Sequence, residues 1–545
     1  MRKSVFALAV IILFGSALSA SADVLGGKKI FYIDSGYDIS GRKEVEAILV
    51  KKSDRIYFYA DVSWWNFVFQ EEVLKSLDQL GREFDQTIYP NLISAYGDEP
   101  NPGIDGDPAI TVLIHPMKKG SGGYFRSADE YSKILVSDSN QREMLYLNSE
   151  HITSLLAKSF LAHEFVHLIT FNQKENKNNV VEEVWLNEMR AEYAPTFLGY
   201  DDIFENSNLE NRLQNFAENP SESLTEWRGT KSNYGSINLF AQYIFGNYGL
   251  SLLSDSIRSE YVGIESIDYA LKKNGFSETF SDVFTNWTIT VLINDCAYGQ
   301  KYCLSNPNLK DFHINPKISF LPMAGESTLT LSDIVQVWAG NWYKVIGGNG
   351  NLTFKFQSQE PVFKVPYIIL SNSGNHRIGF LKQGEDLAVD NFGSEVRAFY
   401  LLPTAQSIEN KKPFYSFSWT ASNSKNQQGE SELIEGLLAQ IETLKNQIAQ
   451  AQAKINAILG KSDYCDISSV RFGQSGEEVK CLQQFLKNQG VYPEGLTTGY
   501  FGPLTKKAVA RFQEKYAAEI LTPLGLVSGT GFVGPNTKAK IRELM

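Results

Sequence analysis

Apolar and polar positions alternate from Val45 to Val62, "VEAILVKKSDRIYFYADV", on either side of a polar Lys51–Asp54 break. That pattern predicts two strands joined in a hairpin, inside a strand-rich stretch from Asp23 to about Phe69. From Gln70 the period lengthens to that of a helix, which Pro90 is expected to stop. "GDEPNPGIDGDP" is a loop, and strands are expected at "AITVLIHPM", "SKILVS" and "REMLYLN". Helical periodicity returns over Ser154–Asn172, where Leu155, Leu156, Phe160, Leu161, Val166, Leu168 and Ile169 imply a largely buried helix. It recurs over Val181–Phe197, Ile237–Tyr248 and Phe280–Leu292. Short β-type runs at sandwich-like spacing fill about Asn315 to Ala421. "SNSKNQQGESE" (Ser422–Glu432) is a polar linker. A heptad seam follows, with Ile434, Ile441, Ile448 and Ile455 at one position and Leu437, Leu444, Ala451 and Ile458 at the other. It suits a parallel two-stranded coiled coil, hence a homodimer, or else a single spacer helix or one with a helical hairpin partner elsewhere. "GYFGPLTKKA" recurs in altered form as "GFVGPNTKAK"; each has a Gly-Pro turn and then a threonine able to cap a helix.

These shifts divide the chain into 1–22, 23–310, 311–421, 422–462 and 463–545. At 545 residues it is too long for one ordinary core. A net charge of -11 without a basic run argues against nucleic acid or an anionic membrane as partner. Arg2 and Lys3, the apolar "VFALAVIILFG" and the small-residue Ala20-Ser21-Ala22 site form a signal peptide, so the mature chain is expected to start at Asp23. No cysteine follows the cut to take a lipid, and no later stretch approaches ~20 apolar residues. The expectation is a secreted protein without a membrane span. In an oxidising compartment the four cysteines can form disulfides, with three connectivities open. The local pairs Cys296–Cys303 and Cys465–Cys481 are favoured because each lies within one segment.

The candidate chemistry is in "LAHEFVHLITF". His163 and His167, four apart on a helix, share a face and can bind one zinc ion. Glu164 can act as general base toward water at such a metal. A catalytic zinc needs a third ligand, and "EEVWLNEMRAEY" offers Glu188; Glu192, one turn on, can orient a ligand histidine through its second ring nitrogen. An HExxH match alone also arises by chance, so the acidic second helix carries much of the assignment. "GIDGD" could hold calcium through Asp105 and Asp107, but it lacks the full EF-hand pattern and a plain turn is the better reading. His115 and His151 have no motif around them and are read as ordinary polar residues.

At these residues the chain resembles the gluzincin peptidases, the thermolysin-like clan, and most closely the hyicolysin family. "GIDGDPAITVLI", "GGYF", "REMLYLN", "YGSINLFAQYIFGNYG" and "FSDVFTNW" stand like that family's landmarks, in order, over about Asp23–Asn306. The resemblance implies an α+β two-lobed zinc metalloendopeptidase domain, with zinc held by His163, His167 and Glu188 and Glu164 as base. It suggests Tyr234 as oxyanion donor, against a packing role among 26 tyrosines. It also suggests "REMLYLN" as the edge strand that pairs with a protein or peptide substrate. Met189 departs from the small residue usual after the third ligand; packing in the core is its preferred role.

"VRFGQSGEEVKCLQQFLKNQG" with "TGYFGPLTKKAVARFQ" resembles the type 1 peptidoglycan-binding domains, small three-helix modules of bacterial wall enzymes. That implies peptidoglycan as a partner and retention at a bacterial cell wall. The resulting expectation is a multidomain, wall-associated extracellular zinc endopeptidase. Two other readings stay open: a hydrolase of peptidoglycan cross-link peptides, and a non-catalytic wall-bound adhesin or scaffold.

Overall fold

A computed structural model describes residues 23–408, 412–424, 440–448, 450–451, 467 and 470–545. The signal segment 1–22, half of the heptad-seam positions (Ile434, Leu437, Ile455 and Ile458) and Cys465 lie outside the described residues. The chain falls into two compact units, Met1–Gln428 and Gly429–Met545.

The first unit opens with a six-stranded mixed sheet. Its strands are β1 (Lys28–Tyr32), β2 (Glu44–Lys52), β3 (Ile56–Asp61), β4 (Ile110–His115), β5 (Gly123–Phe125) and β6 (Met144–Asn148), in the order β1-β2-β3-β4-β6-β5. The Val45–Val62 alternation does form an antiparallel hairpin, with Ile48 opposite Ala60. β3, β4 and β6 are buried at every residue, which is why they read as continuous apolar runs. β6 pairs with β4 on one side and β5 on the other, so "REMLYLN" is not the edge strand. The edge beside it is β5, from the "GGYF" stretch. "SKILVS" is not a strand either: Leu135 and Val136 both donate back to the Ser132 carbonyl in a turn, and Ile134 is 95% exposed. β5 occupies the pairing position that segment would need.

Helices α1 (Val62–Trp65), α2 (Gln70–Glu83) and α3 (Tyr89–Tyr96) follow the hairpin. Pro90 does not end the helical run. One wide π turn, Phe84–Ile88, intervenes, and Pro90 then falls in the first turn of α3, where its missing N–H costs no intrahelical bond. α4 (Ala157–Phe171) starts later than its periodicity suggests: Leu155 lies in the preceding turn and is 89% exposed. Beyond that, α4 is buried on nearly every side because β5, β6, α3 and α5 (Val184–Phe197) all pack on it. A helical lobe completes the domain: α6 (Asn208–Glu218), α7 (Lys231–Tyr248), α8 (Leu250–Arg258), α9 (Gly263–Lys273) and α10 (Phe280–Ile293).

Strands from Lys317 to Ser424 form the second part of this unit. Gly350–Gln357, Asp386–Phe392, Phe414–Ser424 and Ser327–Gln336 make one four-stranded layer. His376–Phe380, Pro366–Ser371, Val396–Leu401, Tyr343–Gly347 and Lys317–Leu321 make a five-stranded one. A single bridge, Phe392 to Val396, joins the layers. Phe354 of the first meets Phe399 of the second at 4.5 Å between ring centroids, the face-to-face contact of a β-sandwich. The last strand reaches Ser424, three residues into the stretch that reads as linker.

The sandwich has no separate core. Trp338 packs edge-on against Phe280 and Phe284 of α10, at 5.0 and 5.4 Å. Trp342 donates through Nε1 to the Thr288 carbonyl at 2.8 Å. One cluster of buried side chains runs from Ile56 to Ala421.

The second unit holds a three-helix module built on Glu477–Asn488, Pro503–Lys515 and Pro535–Leu544. Its sequence repeat is a structural repeat. Gln483 donates to the Tyr500 carbonyl (3.0 Å) and Thr505 Oγ1 (2.9 Å) and accepts from the Gly499 amide (2.9 Å). Gln513 makes the same set with the Phe532 carbonyl (2.7 Å), Thr537 Oγ1 (3.0 Å) and the Gly531 amide (2.9 Å). The two threonines are therefore not caps. Gly502 and Gly534 take the cap position, and each threonine points inward to a glutamine of the preceding helix. Removing a buried side chain that satisfies three polar groups leaves them unpaired. Gln483→Ala is accordingly expected to destabilise the module by about 1–3 kcal/mol, read as faster amide exchange at Gly499 in the full chain; unchanged exchange would count against it. In the described part of the intervening helix, Ile441, Leu444 and Ile448 are exposed.

Candidate metal centre

α4 and α5 cross so that three donor atoms converge. His163 Nε2 and His167 Nε2 are 3.2 Å apart, and Glu188 Oε2 lies 3.3 Å from the first and 3.8 Å from the second. Among the described residues this is the group of histidine and acidic side chains whose donor atoms lie mutually within 4.8 Å. Tetrahedral zinc with Zn–N near 2.0–2.1 Å sets its ligands roughly 3.3 Å apart, close to two of the three separations found, the His167–Glu188 one being longer at 3.8 Å. Glu188 Oε2 is buried and has no hydrogen-bond partner, so it is a lone pair left for a cation. The residues present fit a zinc ion.

The ring orientations are fixed from behind. Glu192 Oε1 lies 3.5 Å from His163 Nδ1, and Asn187 Oδ1 lies 3.1 Å from His167 Nδ1. Glu192 is itself clamped by Arg212 of α6, Nε to Oε2 at 2.8 Å and Nη2 to Oε1 at 2.6 Å, and it accepts from Asn208 and Asn238 at 3.2 Å each. A buried ion pair secures the start of α5: Arg190 donates to Glu182 at 2.5 Å, and Glu182 accepts from the Gly263 amide at 2.7 Å. Asn187 and Arg212 were not evident from sequence. Asn187 adjoins a ligand and could have been suspected on that ground; Arg212 lies on another helix, with no spacing rule to reveal it. Supporting hydrogen bonds of this kind govern metal affinity. Glu192→Gln is expected to weaken zinc binding about 10- to 100-fold in competition with a chromophoric chelator. An unchanged affinity would remove Glu192 from the site.

Burial and charge work against each other here. Burial lowers the imidazolium of His163, but Glu188, Glu164 and Glu192 outweigh it and raise its pKa to about 9. His167 is held below its ordinary value by burial. Burial also lifts Glu164 to about 8, with His163 opposing and Glu188 and Glu192 adding to the rise. Glu188 stays below the ordinary range because His167 and His163 outweigh its burial. The carboxylates thus outnumber the imidazoles, a balance suited to a divalent cation.

β5 runs directly over Glu164. A Cβ on Gly123 would lie 2.9 Å from Glu164 Oε1 and 2.5 Å from the Tyr146 carbonyl, so only glycine permits this approach. Tyr37 stacks on Tyr124 at 4.5 Å, and burial with the charges of Glu164 and Glu188 raises its pKa; no sequence motif pointed to it. Tyr234 lies in the helical lobe with its ring 4.6 Å from the Arg212 guanidinium and 4.9 Å from Trp227. Burial, then Glu188 and Glu192, raise its pKa. Met189 is fully buried in the core.

The other sequence candidates lie elsewhere. Asp105 and Asp107 do not form a pair open to calcium: Asp105 takes Arg142 and the Asp107 amide, and Asp107 accepts from the Ala109 amide. His115 is a buried polar residue outside the metal-binding group. It is buried between Asp38 (3.4 Å) and Tyr124 (3.3 Å). His151 sits against Phe160. Cys296 and Cys303 are joined in a disulfide. Cys481 is disulfide-bonded, and Cys465 lies outside the described residues.

Residues 475–541 match the family model of a peptidoglycan binding domain. No curated protein sequence matches the chain. Similar solved structures include a Yersinia pseudotuberculosis-derived mitogen, 13% identical, covering 19% of this chain and 92% of that one, with TM-score 0.14. Another is Aeromonas hydrophila PliG, a periplasmic lysozyme inhibitor of g-type lysozyme, 14% identical, covering 20% and 98%, with TM-score 0.15. Overlaps this slight do not bear on the fold or function. Among the described residues no helix is long and apolar enough to cross a membrane.

Proposed function

We propose that the chain is a zinc endopeptidase of the gluzincin type, secreted and held at a bacterial cell wall by its C-terminal module. The observation that carries this reading is the convergence of His163, His167 and Glu188 beside the buried carboxylate of Glu164. The mixed sheet ahead of α4 and the helical lobe after it support a thermolysin-like, two-lobed architecture.

His163, His167 and Glu188 would hold the ion, and Glu192 with Asn187 would keep the two rings aligned. A bound zinc supplies Lewis acidity, polarising a substrate carbonyl and acidifying water beside it. Glu164 takes the proton from the attacking water and returns it to the leaving amine. β5 offers an edge on which an extended peptide can pair, directly above Glu164. Tyr234 is the proposed donor to the developing oxyanion, on the strength of its position in the charge field of Glu188 and Glu192. Exposed Ile441, Leu444 and Ile448 support a homodimer through the heptad seam.

The module match also favours a second reading, hydrolysis of the peptides that cross-link peptidoglycan. Zinc content and hydrolysis of casein and of purified sacculi separate the two. Zinc at one per chain with casein cleavage supports the first reading, and sacculus release alone supports the second. A metal-free, inactive protein would sink both.

A further inference from the structure

A group of buried carboxylates gathers in the N-terminal sheet, at the end of β6 away from the histidine pair. Its carboxylates separate cleanly by what satisfies them. Asp23 accepts from Arg142 (2.8 Å) and Tyr59 (2.7 Å) and pairs with Lys29 (2.5 Å). Asp105 takes Arg142 at 3.1 Å. Asp129 takes Arg126 (2.8 Å), the Asn140 amide (2.9 Å) and the Tyr146 hydroxyl (2.5 Å). With those pairs made, the arginines of this corner are used, yet two carboxylates remain. Glu143, 3% exposed, accepts from the Ile104 amide through Oε1 (2.7 Å), while its Oε2 is buried without a partner. Glu130 Oε1 is likewise buried and unpartnered. A buried carboxylate oxygen without donor or cation is costly.

The loop that carries "GIDGD" is shaped around this pair. Gly103 has φ +79°, and a Cβ there would fall 1.9 Å from Glu143 Oε2. The loop backbone therefore lies directly on the carboxylate, and its left-handed φ favours glycine there. Burial lifts Glu143 to about 7, and burial with the charge of Glu143 drives Glu130 well above the carboxylate range. For Glu143 the nearby Arg142 and the Ile104 amide oppose the rise without cancelling it.

We propose that Glu130 and Glu143, with the Gly103–Asp107 loop closed over them, hold one calcium ion that fastens this loop to the start of β6. Every available ligand there is oxygen, which suits calcium and disfavours zinc. The "GIDGD" stretch would close over the ion, with its Ile104 amide holding Glu143 Oε1, while its own aspartates are engaged elsewhere. The inference does not depend on the catalytic reading, because it concerns other residues and another metal.

The test uses the full chain, saturated with zinc and stripped of calcium. Equilibrium dialysis with radioactive calcium should find one ion per chain, with a dissociation constant on the order of 10⁻⁴–10⁻³ M, as in extracellular sites. Millimolar calcium should raise the melting temperature. Glu143→Gln and Glu130→Gln should each lower calcium affinity at least tenfold with zinc content unchanged. Should a variant fail to fold, wild-type protein decides: terbium, excited by nearby tyrosines, should luminesce and be displaced by calcium. The proposal is overturned if wild-type protein binds no calcium at millimolar concentration, or if both variants bind it as wild type does. A melting temperature raised by the substitutions and indifferent to calcium overturns it as well, since the pair would then share a proton instead of an ion.

Discussion

Glu164→Gln is expected to yield a folded, zinc-loaded protein whose casein hydrolysis is lower by about 10²–10⁴-fold or more. Glutamine keeps the shape of the side chain beneath β5, so the close approach at Gly123 is preserved. It cannot accept the proton of the attacking water, so the step assigned to Glu164 fails. Glu164 is 5% exposed and ligates nothing in the proposed site, so zinc content should not fall, and stability should hold or rise as a buried acid is neutralised. Metal analysis and a melting curve on the same sample as the assay separate loss of chemistry from loss of fold. Wild-type activity in the variant would refute Glu164 as the base.

Trp338→Ala is expected to destabilise the whole first unit by about 3–5 kcal/mol, not the sandwich alone. The indole is 1% exposed, packs on Phe280 and Phe284 of α10, and donates to the Ser407 carbonyl at 3.0 Å. Truncation opens a cavity at the seam of the shared core. The backbone carbonyl of the same residue accepts from the Leu224 amide at 2.9 Å, which ties the sandwich to the loop before α7. Calorimetry should therefore show one transition for the helical lobe and sandwich together, shifted as one. Two transitions, with only one displaced, would mean that the sandwich folds independently.

That shared core marks one limit of what sequence patterning could show. The composition change near residue 310 is real, and the strands begin at Lys317. Period and composition are local, however, and carry nothing about which buried face meets which. The same limit explains the edge strand. "REMLYLN" is apolar enough for either position, and its placement between β4 and β5 depends on a three-residue strand too short to have a pattern. Pro90 misled because a single π turn moves it from a helix interior to a helix start, and such a turn has no sequence signature.

The sequence by itself determined the ligand candidates. Spacing of four sets two histidines on one face of any helix, so His163 and His167 required only that α4 form. Glu188 and Glu192 likewise share a face of α5. The twofold repeat of the terminal module was also legible, because each unit repeats its own local turn. Tertiary structure alone decided what surrounds these residues: Arg212 on Glu192, Asn187 on His167, Tyr37 and β5 over Glu164, and the unpartnered carboxylate oxygens of Glu130 and Glu143. Those relations join residues tens of positions apart through the crossing of elements. Local periodicity fixes which way a side chain points from its own helix or strand, and only packing fixes what it meets.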